Sequence, residues 1–313
     1  MDKVFKIAAY ITSYEDQVAL QKCVQCILMQ SYPVSQIFIV DNSRVKINTI
    51  FSDPERITIN HYPENIGISQ GLALALRWAI DFQYDFLWTF DQDSEAFPTT
   101  LEHLLRSYLF LNQQNISVGI VSPKVIDLKS NNEIYGLKFN GYRFYRNLAK
   151  YEQFDKKNIY EYDVTITSGA LINLALAKFI DPPDPRLFID AVDFDYCMRF
   201  REKGYRIFID KNSILNHNFG DYICHRSVSN SQVVPVYSYS ALRYYYMMRN
   251  HTWLELRLSK TFYFKVLCIL YRFLKLVKTC IKILRYESSS KFLKIYASVR
   301  GLIHGLVGSL GKF

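Results

Sequence analysis

The sequence predicts an α/β fold in which a mixed, mainly parallel sheet is flanked by helices, with amphipathic helices appended at the C-terminal end. Three observations carry this expectation. Uncharged runs rich in β-branched and aromatic residues, at 7–11, 36–40 and 86–90, are the length of buried strands and alternate with stretches of helical periodicity. Each run gives way within a few positions to polar side chains, as strands of an open sheet do when they deliver residues to one binding edge. From Lys260 onward the pattern changes to a basic, amphipathic one.

The chain has 313 residues, of which 50% are hydrophobic and 16% aromatic, ample for one large core with an appendage. We divide it at residue 255, with a catalytic domain over 1–255 and C-terminal helices over 256–313. A formal charge of +9 calls for an anionic partner: a nucleotide, a nucleic acid or an anionic membrane surface. The first residues carry no small-residue cleavage site, so no secretory signal is expected. Cys23 and Cys26 form a single CxxC inside a helical pattern, with no second pair and no histidine at zinc-finger spacing. They read as buried thiols in a reducing compartment.

In chain order, the strand at 7–11 leads through a polar turn, Thr12 to Asp16, into a helix from Val18 to about Gln30, which Tyr32-Pro33 ends. The strand at 36–40 closes on Asp41-Asn42-Ser43 and completes a strand-helix-strand unit with a nucleotide-sized crevice. A short strand follows at 57–59. Asn65-Ile66-Gly67 then precedes a helix over 72–80, where glycines permit close backbone approach. The spacing there matches neither a dinucleotide fingerprint nor a phosphate loop.

Phe86-Leu87-Trp88-Thr89-Phe90 ends at Asp91-Gln92-Asp93. Two carboxylates one residue apart repel unless a cation lies between them, which suits a divalent metal shared with a diphosphate; capping of the next helix, over 99–112, is the structural alternative. A strand at 118–122 precedes a polar excursion of short strands and loop between about 126 and 163. Ser168-Gly169-Ala170 reads as a turn that opens a helix. Asp190, Asp193 and Asp195 are three carboxylates within six positions, of which Asp190 and Asp193 lie at the start of another helix as capping or functional residues; Gly204 ends that helix before a strand at 205–209. His217 stands at the next strand end, where it is either an ordinary buried histidine or a metal ligand.

These motifs, in this order over residues 5–255, resemble the inverting glycosyltransferases of family 2, with the GT-A fold, and among them the bacterial rhamnosyltransferase-like group. The carriers are Ser13-Tyr14, Val40 to Ser43, Asn65 to Gly67, Phe90 to Ser94, Thr167 to Gly169, Phe188 to Asp193, His217 to Gly220 and Leu242 to Asn250. Ala73 and Ala75 depart from an Asn and a Gly common in relatives. The resemblance implies a nucleotide-sugar donor, dTDP- or UDP-linked, near Ser13, Tyr14, Asp41, Asn65, Gly67 and Asp91. It implies Mg²⁺ or Mn²⁺ held by Asp93, Asp91 and His217, with Asp193 as general base. Ser168, Asp190, Arg249 and Asn250 would contact acceptor or phosphate.

Between Lys260 and Lys294 the basic residues face Glu287 alone, and apolar residues fill the other half of a helical wheel. No uncharged run is long enough to span a bilayer, so this segment reads as an interfacial helix on an anionic membrane. The implied acceptor is a lipid-linked saccharide in bacterial cell-surface polysaccharide synthesis. The implied location is cytoplasmic, peripheral on the inner face of the membrane, with a homo-oligomer allowed. A non-catalytic nucleic-acid-binding protein is the competing class; the acidic clusters and the lack of a nucleic-acid motif oppose it. Gly301, Gly305 and Gly308 suggest a bent or closely packed terminal hairpin.

Overall fold

The computed structural model describes residues 4–49, 51–146, 153–154, 158–218, 221–226 and 233–313. Its first half contains β1 (Ile7–Ser13), α1 (Gln17–Leu28), β2 (Gln36–Asp41), β3 (Ile57–His61), α2 (Gly67–Asp81), β4 (Phe86–Asp91), β5 (Ser94–Ala96), α3 (Thr100–Gln113) and β6 (Val118–Asp127). Short strands follow: β7 (Glu133–Ile134), β8 (Lys138–Phe139), β9 (Phe144–Tyr145), β10 (Gln153–Phe154) and β11 (Ile159–Tyr162). The remainder comprises β12 (Leu171–Asn173), α4 (Leu174–Ala177), α5 (Val192–Glu202), β13 (Arg206–His217), β14 (Asp221–Arg226), β15 (Val233–Ser238), α6 (Ala241–Leu258), α7 (Phe262–Tyr286) and α8 (Lys291–Val307). Parts of the expected polar excursion, at 147–152 and 155–157, and Phe219-Gly220 of the motif after His217 lie outside the described residues.

The chain divides into two compact units, one of Met1–Lys138, Arg146–Pro185 and Asp193–Asn218, the other of Phe139–Tyr145, Arg186–Val192 and Phe219–Phe313. In the first unit the sheet runs in the order β10-β11-β13-β6-β12-β4-β1-β2-β3. Strands β3, β2, β1 and β4 are parallel neighbours, as are β13 and β6, while β12 runs antiparallel between β4 and β6. The mixed, mainly parallel sheet expected from the sequence is therefore present. Strand order reverses at β1, whose neighbours are β2 on one side and β4 on the other, and such a reversal opens a crevice at the carboxyl ends of the two central strands.

Alternate residues of the strands face opposite helices. Ile7, Ala9, Ile11, Ile37, Ile39 and Trp88 pack with Leu20, Val24 and Ile27 of α1 and Leu101 and Leu104 of α3 in one core. On the other face Phe38 stacks on Trp78 of α2, with ring centroids 4.8 Å apart. That helix lies close: a Cβ on Gly71 would stand 2.6 Å from the Tyr10 hydroxyl and 3.3 Å from Val40. Cys23 and Cys26 are free thiols on α1, Cys23 buried and Cys26 half-buried.

Two sequence expectations are corrected. Ser168-Gly169-Ala170 opens strand β12, not a helix; the helix that follows, α4, has four residues. Leu171 and Ile172 can fill the gap between β4 and β6, where backbone groups of both neighbours would otherwise lack partners. The second correction joins the strand at 205–209 to the one ending at His217. They are one twelve-residue strand, β13, whose register against β6 shifts between Asp210 and Ile214. The polar Lys211-Asn212 step is this irregularity, where the Asn212 amide donates to the Asp210 carboxylate at 2.8 Å.

In the second unit α8 lies against α6, with a Cβ on Gly301 or Gly305 only 2.5 Å from the carbonyl oxygens of Tyr245 and Arg249, respectively. The close packing expected of the terminal glycines is present at Gly301 and Gly305, whereas a Cβ on Gly308 would meet only Trp253, at 3.9 Å. Met248, Leu276 and Leu302 make a small core from α6, α7 and α8. Much of the remaining contact is polar. Arg272 of α7 lies 3.5 Å from Glu255 and donates to Thr252 of α6 at 2.9 Å, and Lys294 of α8 pairs with Glu287 at 2.7 Å. Glu287 also accepts from the Tyr244 hydroxyl at 2.8 Å.

Candidate functional site

The parallel register of β1 and β4 places Thr12 opposite Asp91. Directly beyond that pair, Gln92 ties the two strand ends together. Its side-chain carbonyl accepts from the Ser13 hydroxyl at 2.7 Å and the Tyr14 amide at 2.8 Å, and its amide donates to the Tyr14 carbonyl at 2.8 Å. The sequence offers no reason to single out Gln92, because its partners are 78 and 79 positions away. Only the register reveals its work.

Asp93 meets His217 through a second strand pairing. β5 runs antiparallel to β13 with Ser94 opposite His217, and the Asn218 amide donates to the Asp93 carbonyl at 3.1 Å. His217 Nδ1 lies 2.9 Å from Ser94 Oγ and 3.4 Å from an Asp93 carboxylate oxygen. One ligand atom from each of Asp91, Asp93 and His217 can be chosen so that all three lie within 4.8 Å of one another. Two carboxylate oxygens and an imidazole nitrogen form a donor set that suits Mn²⁺, and Mg²⁺ when further oxygens come from a diphosphate.

Ser168 was expected to touch acceptor or phosphate. It is buried, and its hydroxyl donates to the Asp91 carboxylate at 2.6 Å, so in this structure it orients Asp91. Asp41 is also buried; its two oxygens accept from the amides of Ser43 and Ile47, each at 3.0 Å, so its side chain is occupied in shaping a turn. The neighbouring Asn42 accepts from the Ile66 amide at 2.9 Å. Asn65, at φ +52°, accepts from the amide of Gly67, itself at φ +79°, at 3.0 Å. These residues build the crevice wall around the start of α2. Tyr14, nearly half exposed, presents an open surface.

Asp193 stands in the first turn of α5 and accepts from its neighbour's amide, Phe194, at 3.0 Å. With Thr89, Thr165, Thr167, Tyr196 and Cys197 it lines a small cleft beside β4. Asp195, two residues on, is fully buried and takes the Arg199 guanidinium at 2.8 Å. That carboxylate is structural. Burial pushes the Cys197 thiol up to about 12, so it stays protonated.

In the second unit, Phe188, Asp190 and Ala191 have φ of +65°, +63° and +60°. Left-handed backbone costs a non-glycine residue on the order of 1–2 kcal/mol, so three such residues among four consecutive positions need outside support. Arg249 and Asn250 provide it. The Asn250 side-chain nitrogen lies 2.9, 2.7 and 3.0 Å from the carbonyl oxygens of Leu187, Ile189 and Asp190. Arg249 reaches the carbonyls of Arg186 and Leu187 at 3.0 and 3.2 Å, and both side chains are buried. The sequence expected these two to contact acceptor or phosphate; here their polar atoms hold the strained loop. Asp190 itself lies 3.6 Å from Arg243, and burial raises its pKa while the guanidinium opposes the rise.

Comparisons with known proteins place this geometry. The chain is 25% identical over 218 residues to the dTDP-rhamnosyl transferase RfbF of Shigella flexneri, covering 68% of each chain. It is 31% identical over 112 residues to the hyaluronan synthase of Streptococcus pyogenes, covering 33% of this chain and 27% of that one. Among solved structures, S. aureus TarS 1-349 in complex with UDP-GlcNAc superposes with a TM-score of 0.54 at 13% identity, over 96% of this chain and 81% of that one. GalNAc-T7 with UDP, GalNAc and Mn²⁺ gives 0.55 at 11% identity, over 70% of this chain and 45% of that one. These structural likenesses establish the GT-A fold. Residues 9–168, just over half the chain, match the family model Glycosyl transferase family 2, and the chain belongs to that family.

Proposed function

We propose that this protein is an inverting, metal-assisted glycosyltransferase that moves L-rhamnose from dTDP-rhamnose to a lipid-linked saccharide. The observation that carries the reading is the meeting of Asp91, Asp93 and His217 at the carboxyl end of β4, beside the crevice where strand order reverses. The similarity to the Shigella flexneri enzyme supports the choice of donor. A divalent cation on those three residues, Mg²⁺ or Mn²⁺, would neutralise the diphosphate as it leaves.

The chain's own residues do the rest. Tyr14 offers a surface to the nucleoside, while Ser13, Asp41, Asn65 and Gly67 hold the crevice open to it through the hydrogen bonds described above. Ser168 keeps the Asp91 carboxylate turned inward. Asp193 takes the proton of the acceptor hydroxyl as that oxygen bonds to the anomeric carbon from the face opposite the diphosphate. The bond from carbon to the phosphate oxygen breaks, its electron pair leaves with the diphosphate, and configuration inverts.

Residues 1–255 act in this reading as the catalytic part and 256–313 as the membrane-associating part. Among the described residues no helix is long and apolar enough to cross a membrane. The basic segment 260–294 would hold the enzyme on the cytoplasmic face of an anionic membrane, where a lipid-linked acceptor is presented. A hydrolysis screen over nucleotide sugars, with Mg²⁺ or Mn²⁺ and with chelator, tests the function. Turnover of dTDP-rhamnose that chelator abolishes is expected. Preference for a UDP-linked hexose would replace the donor, and absence of binding or turnover of every nucleotide sugar would overturn the reading.

A further inference from the structure

The C-terminal helices are amphipathic in the inverted sense for a helix packed on a soluble core. Helix α7 turns Arg272 and Leu276 toward α6, and α8 turns Gly301, Leu302 and Gly305 the same way. Lys282 donates to the Tyr237 carbonyl at 2.7 Å, and Lys294 pairs with buried Glu287. Several of the cations that a helical wheel assigns to lipid are thus engaged within the protein. The sides of both helices away from α6 are apolar and open. On α7 they carry Ile269, Leu270, Phe273, Val277, Ile281 and Leu284, all exposed. On α8 they carry Phe292, 87% exposed, with Tyr296, Val299 and Ile303.

A monomer rarely leaves apolar stripes along two consecutive helices, of 25 and 17 residues, facing water. The charge around them identifies the occupant. Residues 256–313 hold twelve lysines and arginines against a single acidic residue, Glu287, which is buried; residues 1–255 hold 26 basic and 28 acidic residues. All of the chain's excess positive charge therefore lies in the segment with the open apolar face. Lys260, Lys265, Lys275, Lys278 and Arg285 remain exposed. A second copy of the chain would bring a like-charged surface to the contact, whereas anionic lipid offers acyl chains and opposite charge together.

We propose that α7 and α8 form one two-helix wedge that inserts its apolar face into the acyl boundary of the membrane, with the exposed lysines meeting headgroups. This deepens the membrane-surface reading, on which it rests, in two ways. The anchor extends past residue 294 along α8, and it holds by insertion as well as by charge.

Vesicle co-sedimentation of the full chain tests it, using phosphatidylcholine vesicles with and without phosphatidylglycerol. The variants are Leu270→Glu/Phe273→Glu on α7 and Phe292→Glu/Ile303→Glu on α8. All four positions are exposed, and unchanged melting curves would verify the fold. Each double variant is expected to lose about tenfold or more in partitioning, and wild-type binding to phosphatidylglycerol vesicles is expected to survive about 0.5 M salt in part. Wild-type-like binding by the α8 variant would overturn the wedge while leaving an α7 anchor standing. Complete release by salt would overturn insertion. Absence of vesicle binding by the wild type would overturn both readings, as would a solution dimer dissolved by the same substitutions.

Discussion

The carboxyl end of β4 and the interior of the three C-terminal helices treat charge in opposite ways. At β4, Asp91 and Asp93 are gathered with His217 into a few ångströms at a partly exposed edge, where two like charges lie close together. Among α6, α7 and α8, Arg272 and Lys294 are almost wholly buried, each with an acidic partner. Under the proposed function, the difference separates charge placed to meet a ligand from charge that holds a fold. Like charges brought together near solvent are costly without a counter-ion, while a matched buried pair specifies packing and asks for nothing more.

The comparison breaks first, and with the largest effect, at Asp193. Asp193→Asn is expected to lower transfer by about 10²–10⁴-fold while leaving donor binding and melting temperature unchanged. Transfer at the wild-type rate would remove the base from this position. In the helices, Arg272→Leu leaves Glu255 buried without its guanidinium and is expected to cost about 3–5 kcal/mol in denaturant titrations, most of it recovered in the double variant with Glu255→Leu. Equal losses in the single and double variants would mean that the pair contributes little.

Asn250→Ala sharpens the contrast from the other side, because the residue looks functional by type and acts on backbone. Removing its contacts to the carbonyls of Leu187, Ile189 and Asp190 is expected to cost about 1–3 kcal/mol. If Asn250 instead bound phosphate, stability would be unaffected and donor affinity would fall.

The smallest expected effect is a pH dependence. Burial, with Arg272 and Lys275 nearby, pushes the pKa of His251 down to about 3. The unfolded chain then binds more protons than the folded one between about 6.5 and 3, so this residue's contribution to stability is complete above pH 6.5 and shrinks as pH falls through that window. Glu255, whose pKa is raised by burial, acts in the other direction: its folded form gains relative stability as pH falls toward its unfolded value. The melting temperature of His251→Gln, compared with wild type between pH 6.5 and 5, is expected to show the shallower decline.

Much of this was legible in the sequence, for reasons that differ by element. Strands β1, β2 and β4 announce themselves because both faces are buried, so their apolar runs are unbroken. Asp91 and Asp93 are visible because a strand has to end where they stand. The long strand β13 hides because its irregularity at Lys211 and Asn212 has turn-like composition. Residue type alone does not say whether Ser168 faces a ligand or the Asp91 carboxylate, or whether Arg249 and Asn250 face a ligand or a strained loop about 60 positions away. Gln92 is silent in sequence, since its meaning lies entirely in the alignment of β1 with β4. The apolar stripes of α7 and α8 are readable from periodicity, but which face turns inward depends on Glu255 receiving Arg272 of α7 and Glu287 receiving Lys294 of α8.

The central claim is that Asp91, Asp93 and His217 form a metal site serving a nucleotide diphosphate. Isothermal titration of Mn²⁺, in the presence of dTDP, into wild type, Asp93→Asn and His217→Ala tests it directly. Wild type is expected to bind, and both variants to bind about 10–100-fold more weakly with melting temperatures unchanged in the absence of metal. Equal Mn²⁺ binding by all three proteins, or no binding by the wild type, would contradict the assignment.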